Sequence, residues 1–291
     1  MKISYKDPRF SRTSLARIDK VNEIIDEYLA MGLRLTLRQL YYQLVSRTVI
    51  PNREREYKNL SHLVSEARLA GRVDWDAIED RVRMPRSPSE FENLQQLIDA
   101  AIASYRLPRW RGQEHYVELW VEKDALAGVL EPLAREFHVT MMVNRGYSSQ
   151  TAMKDSADRF RAAVEEGLDP VLFYLGDHDP SGEDMVRDID ARLELLRGGH
   201  VHVKKLALTM AQVRHFNPPP NPAKMSDPRA EGYVAAHGDE SWEVDAIPPD
   251  ELARIVQRAF HSVVDKEAMD RIKHQEEADK KRLRKATKKL R

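Results

Sequence analysis

The chain has 291 residues, 42% of them apolar and 32% charged, enough for two modest domains with hydrophilic surfaces. Its 47 Lys and Arg balance 47 Asp and Glu, which excludes a uniform basic field, and the lack of cysteine excludes disulfides and thiolate zinc sites. The opening MKISYKDPRF lacks the apolar core of a secretion signal, and no segment reaches the roughly 18 apolar residues that cross a bilayer, so a soluble cytoplasmic protein is expected.

Residues 12 to 31 read as a helix with Leu15, Ile18, Val21, Ile24, Ile25 and Leu29 on one face. A second helix starts at TLRQLYYQLV, where Thr36 and Gln39 have capping-box spacing and Leu37, Leu40, Tyr41, Leu44 and Val45 form the apolar stripe. A third follows IPNRERE, buries Leu60, Leu63, Val64 and Ala67, and stops near Gly71. Three short helices with a basic surface resemble a helix-turn-helix or winged-helix module. The segment MPRSPSE, residues 84 to 90, reads as a joint, followed by a helix from about residue 90 to 105.

From EHYVELWVEK onward, apolar strands alternate with helices. KDALAGVLEPLAREF is helical, HVTMMV a strand, QTAMKDSADRFRAAVEEG a helix, PVLFYL a strand and EDMVRDIDARLELLRGG a helix. That order argues for a βαβαβα unit with a parallel sheet, extended by VHVKKLALT, and so for a mixed α/β fold. NPPPNPAKMSDPRAEGY reads as an irregular connection. A helix after EVDAIPPD and a basic tail helix complete the chain. From Lys266 to Arg291, 11 Lys or Arg face 5 Asp or Glu, so positive charge concentrates there, and KKRLRKATKKLR suits either DNA or solvent. The expected division is 1–110, 111–262 and 263–291.

Open parallel sheets bind ligands beyond the carboxyl ends of their strands. Glu122 ends the first strand of the unit, and Asp177 and Asp179 end the third. Three carboxylates with no accompanying His or Cys cluster suit a hard cation, Mg²⁺ or Mn²⁺, that is shared with substrate phosphate. His178 is expected to face away from them. The competing local reading is that these are helix N-cap and first-turn acids, common after any strand, although Ser181 with Asp184 already supplies capping chemistry.

WVEKDALAGVL, NRGYSSQT and YLGDHDPSGEDM together resemble the Toprim domain. Within that group they are most similar to the A subunit of topoisomerase VI and the meiotic double-strand-break proteins. The resemblance spans about residues 34 to 255. It implies Glu122, Asp177 and Asp179 as metal-binding acids, and places Arg145 in a Gly-containing turn. It also implies Glu243 and Asp245, in ESWEVDAIPPDEL, as residues that support the metal ligands or hold the fold.

The family's DNA-binding helix bears Arg, an acid, an apolar residue and two aromatics, the second aromatic being the nucleophile. RQLYY matches with Arg38 and Tyr42, but has Gln39 in place of the acid. Helix geometry agrees: Tyr41 falls on the packed stripe, whereas Tyr42 shares a face with Arg38 at i, i+4. A phenol of pKa about 10 needs cations, metals or a base to attack phosphorus, and by resemblance the metals facing it come from a partner subunit. Arg34, Arg47, Arg53, Arg55, Lys58, Arg68 and Arg72 surround this helix as candidate phosphate contacts, with Arg145 a further one.

The expected function is Mg²⁺-dependent cleavage of double-stranded DNA by a nucleoid-associated homodimer, leaving a 5′-phosphotyrosine on Tyr42. No P-loop is present, so the resemblance implies a separate ATPase partner or none. A Toprim nuclease using activated water and a non-catalytic DNA-binding protein are the alternatives.

Overall fold

The structure is a computed structural model that describes residues 2–78 and 88–288. Positions 84 to 87 of the expected joint and the last three residues of the basic tail lie outside them. Helices α1 (Arg12–Ala30), α2 (Leu37–Ser46) and α3 (Glu54–Leu69) form an N-terminal bundle. Its core is built from Val21, Ile24, Leu40, Leu44, Leu60 and Ala67. Thr36 caps α2 through the expected reciprocal bonds with Gln39. Tyr28 completes the buried face of α1 where Leu29 was expected, and Leu29 is exposed. Isolated bridges Ser4–Ala70 and Leu35–Ile78 supply the β pairing of this unit among the described residues.

Strands β1 (His115–Val121), β2 (Thr140–Val143), β3 (Asp169–Leu175) and β4 (His202–Ala207) make one parallel sheet in the order β2-β1-β3-β4. Side chains alternate between its faces. Val117, Leu119, Val121, Val171, Phe173 and Leu175 pack on one side with α5 (Asp124–Phe137) and α10 (Pro249–His261). Trp120, Leu172 and Tyr174 pack on the other with α6 (Gln150–Glu165) and α7 (Pro180–Leu195). Burial on both faces is why β1 and β3 read as continuous apolar runs rather than alternating ones. Glu118 is the exception: it is fully buried and satisfied by Arg159 at 2.6 and 3.0 Å, Trp120 Nε1 at 2.8 Å and Tyr116 at 2.8 Å.

The chain is therefore mixed α/β with a four-stranded parallel sheet. The Pro-rich connection is more ordered than its composition suggests. It follows α8 (Met210–Phe216) and contains β5 (Asn221–Pro222), which pairs antiparallel with β6 (Glu240–Ser241), and the start of α9 (Ala230–His237). Helix α4 (Leu94–Ser104) packs on the C-terminal helix α11 (Lys266–Thr287). Just beyond α4, the Leu107 N–H (3.0 Å) and Arg109 (3.1 Å) bind Glu276 of α11, and Lys280 is buried against the same carboxylate, so the basic tail helix is anchored. No helix among the described residues is long and apolar enough to cross a membrane.

Phe260 joins α10 to the sheet, with its ring 5.2 Å from Phe137 and 6.2 Å from Phe173. Removing a fully buried aromatic costs about 3–5 kcal/mol. Phe260→Ala should therefore lower the urea midpoint of the α/β unit, read by tryptophan fluorescence, whereas Leu29→Ala should leave it almost unmoved.

Candidate metal and nucleophile site

Val121 pairs with Leu175, so the residues that follow leave the same edge of the sheet together. The Asp177 N–H donates to Glu122 Oε2 at 2.9 Å, and the Tyr174 hydroxyl donates to the same oxygen at 3.4 Å. Two glycines permit this approach. A Cβ on Gly176 would collide with Tyr174 and Glu122, and one on Gly182 would strike the Asp177 carbonyl. Asp179 is the N-cap of α7, accepting from the Gly182 N–H at 2.6 Å and the Ser181 hydroxyl at 2.9 Å. Asp179 thus takes the capping role of the competing local reading, and Ser181 does not cap, because Pro180 occupies the first helical position and makes the residue before it the cap. Burial, followed by the charges of Glu122, Asp177 and Asp179, pushes the Tyr174 hydroxyl far up. The three acids thus share one edge of the sheet, but among the described residues they do not bring one ligand atom each within 4.8 Å of one another, so the expected three-carboxylate cluster is not formed.

Sequence reasoning assigned no role to Lys123, yet its ammonium is the centre of the site. It lies 2.8 Å from Asp177 Oδ2, 2.9 Å from Glu243 Oε2 and 3.1 Å from Asp245 Oδ1. Burial alone would lower its pKa, but the three carboxylates hold it well above the ordinary lysine value. Asp177 also rises, but for the opposite reason: burial raises it to about 7, with Lys123 opposing and Glu122 and Asp245 adding. Burial also acts upward on Glu243, but Lys123 and Arg38 overcome it and hold that carboxyl below its usual range.

Arg38 carries the network onto α2. It pairs with Glu243, and its Nε lies 3.4 Å from Asp245 Oδ2. Its guanidinium sits 5.8 Å from the centre of the Tyr42 ring. Tyr42 was expected to stand off the packed stripe, but it is 3% exposed and Tyr41 is 4%. Segment 243–246 closes over α2, with Ala246 joining the bundle core, and Gln39 reaches the Ala125 carbonyl at 3.2 Å. Burial, then Glu243 and Asp245, push the Tyr42 hydroxyl far above its ordinary value. Tyr41 is used structurally, accepting from the Arg53 N–H at 2.8 Å and donating to Asn52 at 2.9 Å. Both tyrosines line a cavity of about 200 Å³ with Arg38, Asn52, Tyr57 and Glu243.

Arg34, Arg53, Arg55, Lys58 and Arg72 are exposed around the bundle. Three of the expected phosphate contacts hold acidic partners: Lys58 of these five meets Glu54 at 2.7 Å, Arg47 meets Glu27 at 2.8 Å, and Arg145 makes a two-pronged pair with Asp124 at 2.8 and 2.9 Å. Arg68 turns inward, stacking on Trp75 at 4.7 Å. His178 faces away from the acids as expected, with Nδ1 2.8 Å from the Tyr233 hydroxyl. The expected absence of a histidine cluster is corrected, because α9 folds back and brings His237 to His178 and Glu183.

Compared with known proteins, the chain matches no family model, no curated sequence and no solved structure. The chemistry of the site therefore rests on its own geometry. Glu122 Oε1 and Asp179 Oδ2 take no hydrogen bond or ion pair among the described residues, whereas both oxygens of Asp177 are engaged, by Lys123 and by the Val244 N–H at 2.9 Å. Two free carboxylate oxygens plus waters suit Mg²⁺, which binds proteins through one or two carboxylates. By donor chemistry Glu122 and Asp179 suit a hard cation, whereas the residues that bring three ligand atoms within 4.8 Å of one another are His178, Glu183 and His237.

Removing one partner of a buried ion pair costs about 3–5 kcal/mol. Lys123→Met should lose about 3 kcal/mol in metal-free buffer. Mg²⁺ should then raise its melting temperature more than it raises that of the wild type, because a divalent cation replaces the missing ammonium charge. Equal Mg²⁺ responses in the two proteins would contradict a cation-binding role for this edge.

Proposed function

We propose that this chain cleaves double-stranded DNA by metal-assisted phosphoester transfer, with Tyr42 as the nucleophile and two chains each cutting one strand. The observation that carries this reading is the unbroken ion-pair path from Arg38, beside Tyr42, through Glu243 to Lys123 and Asp177. It joins a tyrosine that carries a guanidinium to the acidic edge of the sheet. The reading treats the N-terminal bundle as a winged-helix-like DNA-binding module and the α/β unit as Toprim-like.

In this mechanism the Tyr42 oxygen attacks phosphorus, and the bond from phosphorus to the 3′ oxygen breaks. The products are a 5′-phosphotyrosine and, once the leaving 3′ oxygen takes a proton from solvent water, a free 3′ hydroxyl. Asp245 Oδ2, buried without a hydrogen bond, is the acceptor for the phenol proton. Arg38 exchanges its carboxylate partners for the phosphate, whose developing charge it stabilises in a two-pronged contact. The chemistry that a bound divalent cation supplies at Glu122 and Asp179 is neutralisation of that same charge. Because Tyr42 is 3% exposed, segment 243–246 must lift from α2 before DNA reaches it. DNA phosphates drive that opening by competing for Arg38. No step uses ATP.

A second reading is favoured by the same burial. If segment 243–246 stays closed, Tyr42 is structural and water attacks at the acidic edge, as in a metal-dependent nuclease.

Incubation with labelled plasmid and Mg²⁺ or Mn²⁺, followed by SDS, separates the two. The expected result is covalent protein–DNA adducts that vanish in Tyr42→Phe. Arg38→Ala should reduce their rate of formation about 100-fold, as loss of one oxyanion-stabilising group does. Cuts that survive Tyr42→Phe but not Asp179→Ala would establish the nuclease instead. DNA binding with no cleavage by any protein would reject both.

A further inference from the structure

His178 separates the two aspartates at the acidic edge but belongs to a different pocket. Its main chain makes a two-way bridge with Trp242, with each N–H donating to the other's carbonyl at 2.9 Å. The backbone is therefore extended there, and the side chain of His178 points opposite to those of Asp177 and Asp179. It is 1% exposed and packs among Tyr233, His237 and Trp242.

The hydrogen bonds around Tyr233 assign the tautomer of His178. The Tyr233 hydroxyl lies 2.9 Å from the His178 carbonyl, 3.0 Å from the Glu240 carbonyl and 2.8 Å from His178 Nδ1. Its single proton goes to a carbonyl, since a carbonyl can only accept. The contact with Nδ1 therefore has the ring N–H donating to the tyrosine oxygen, which leaves Nε2 with a bare lone pair.

That lone pair makes no hydrogen bond among the described residues. It faces Glu183 Oε1 at 3.8 Å, and the His237 ring stands edge-on to His178 with centroids 4.8 Å apart. An unprotonated imidazole nitrogen opposite a carboxylate is an acceptor facing an acceptor, an arrangement that calls for a cation between them. One ligand atom from each of His178, Glu183 and His237 lies within 4.8 Å of the others.

We infer that His178, Glu183 and His237 form a metal site for a borderline cation of the Zn²⁺ class, separate from the hard-cation edge at Glu122 and Asp179. Two imidazoles and one carboxylate favour Zn²⁺ over Mg²⁺, and coordination by Nε2 with Nδ1–H held by an oxygen is the usual support for a zinc-bound histidine. Lys205 fixes the carboxylate from the other side, donating to Glu183 Oε1 at 2.6 Å and to the Asp177 carbonyl at 2.8 Å. The other Glu183 oxygen accepts no hydrogen bond among the described residues and remains free for the metal. A metal held there clamps α9 to the first turn of α7 and to the loop that presents Asp177 and Asp179. The inference does not use Tyr42 or DNA cleavage, so its failure leaves the proposed function untouched.

The test is equilibrium dialysis of the full chain against Zn²⁺ in the presence of excess Mg²⁺. The expected result is one Zn²⁺ per chain that Mg²⁺ does not displace. His237→Ala and Glu183→Gln should each weaken it at least tenfold, and Glu183→Gln keeps an acceptor for Lys205. Asp179→Asn, which preserves the cap on α7, should leave zinc binding unchanged. Circular dichroism of the metal-free proteins verifies folding, and the two ligand variants are independent of each other. Absence of bound zinc, binding unaffected by either ligand variant, or binding lost in Asp179→Asn would each overturn the inference.

Discussion

The Lys123 ammonium, enclosed by Asp177, Glu243 and Asp245, is the constraint on which the rest of the site depends. A buried charge is costly unless it is paired and hydrogen-bonded, and a buried carboxylate cluster is costlier still without a cation. Lys123 meets both needs at one point. Its three partners come from the loop after β3 and from the segment before α10, while Lys123 itself lies two residues beyond the end of β1. The position of segment 243–245 is thus fixed electrostatically to the sheet edge. Through Glu243 and Arg38 the same network reaches α2, so the bundle and the α/β unit are docked by ion pairs as well as by apolar contact.

The sheet edge imposes its own geometry on this charge cluster. Parallel pairing of β1 with β3 brings Glu122 beside the Asp177 N–H, and the glycines at 176 and 182 remove the side chains that would block it. The acids then divide by what else they hold. Both oxygens of Asp177 are occupied within the protein, by Lys123 and by the Val244 N–H, and burial lifts its carboxyl to about 7. Glu122 and Asp179 each keep an oxygen outward. An acid that holds the internal lysine and two acids that remain open are different parts, although one strand-end motif encodes two of the three.

Much of the fold was legible because it depends on local periodicity. The apolar runs of β1 and β3, the capping box at Thr36 and the amphipathic α1 all follow from residue spacing. The acids were legible because strands of a parallel sheet end on a common edge. What escaped depends on contacts between distant segments. Nothing in the spacing of VEKDAL distinguishes Lys123 from a solvated lysine, since its partners at 243 and 245 arrive only when α10 folds onto the sheet. Tyr42 reads as half exposed because helical periodicity describes one packing surface, whereas α2 is covered on two sides, by its bundle and by segment 243–246. Pro180 did carry a readable signal for the cap at Asp179, because proline favours the first position of a helix.

The loop from 177 to 179 shows how one extended tripeptide serves two environments. Backbone pairing with Trp242 holds it extended, so successive side chains point to opposite sides. One side receives two carboxylates and the charges that neutralise them. The other receives an imidazole whose protonated nitrogen is committed to Tyr233. A single-residue shift would exchange these faces, burying a carboxylate among Tyr233 and Trp242 and delivering an imidazole to Lys123. Gly182, pressed against the Asp177 carbonyl, and Lys205, bonded to that same carbonyl, prevent the slip. The alternation of Asp, His and Asp is thus set by the pleat of the backbone, and the separation of hard oxygen donors from nitrogen donors follows from it.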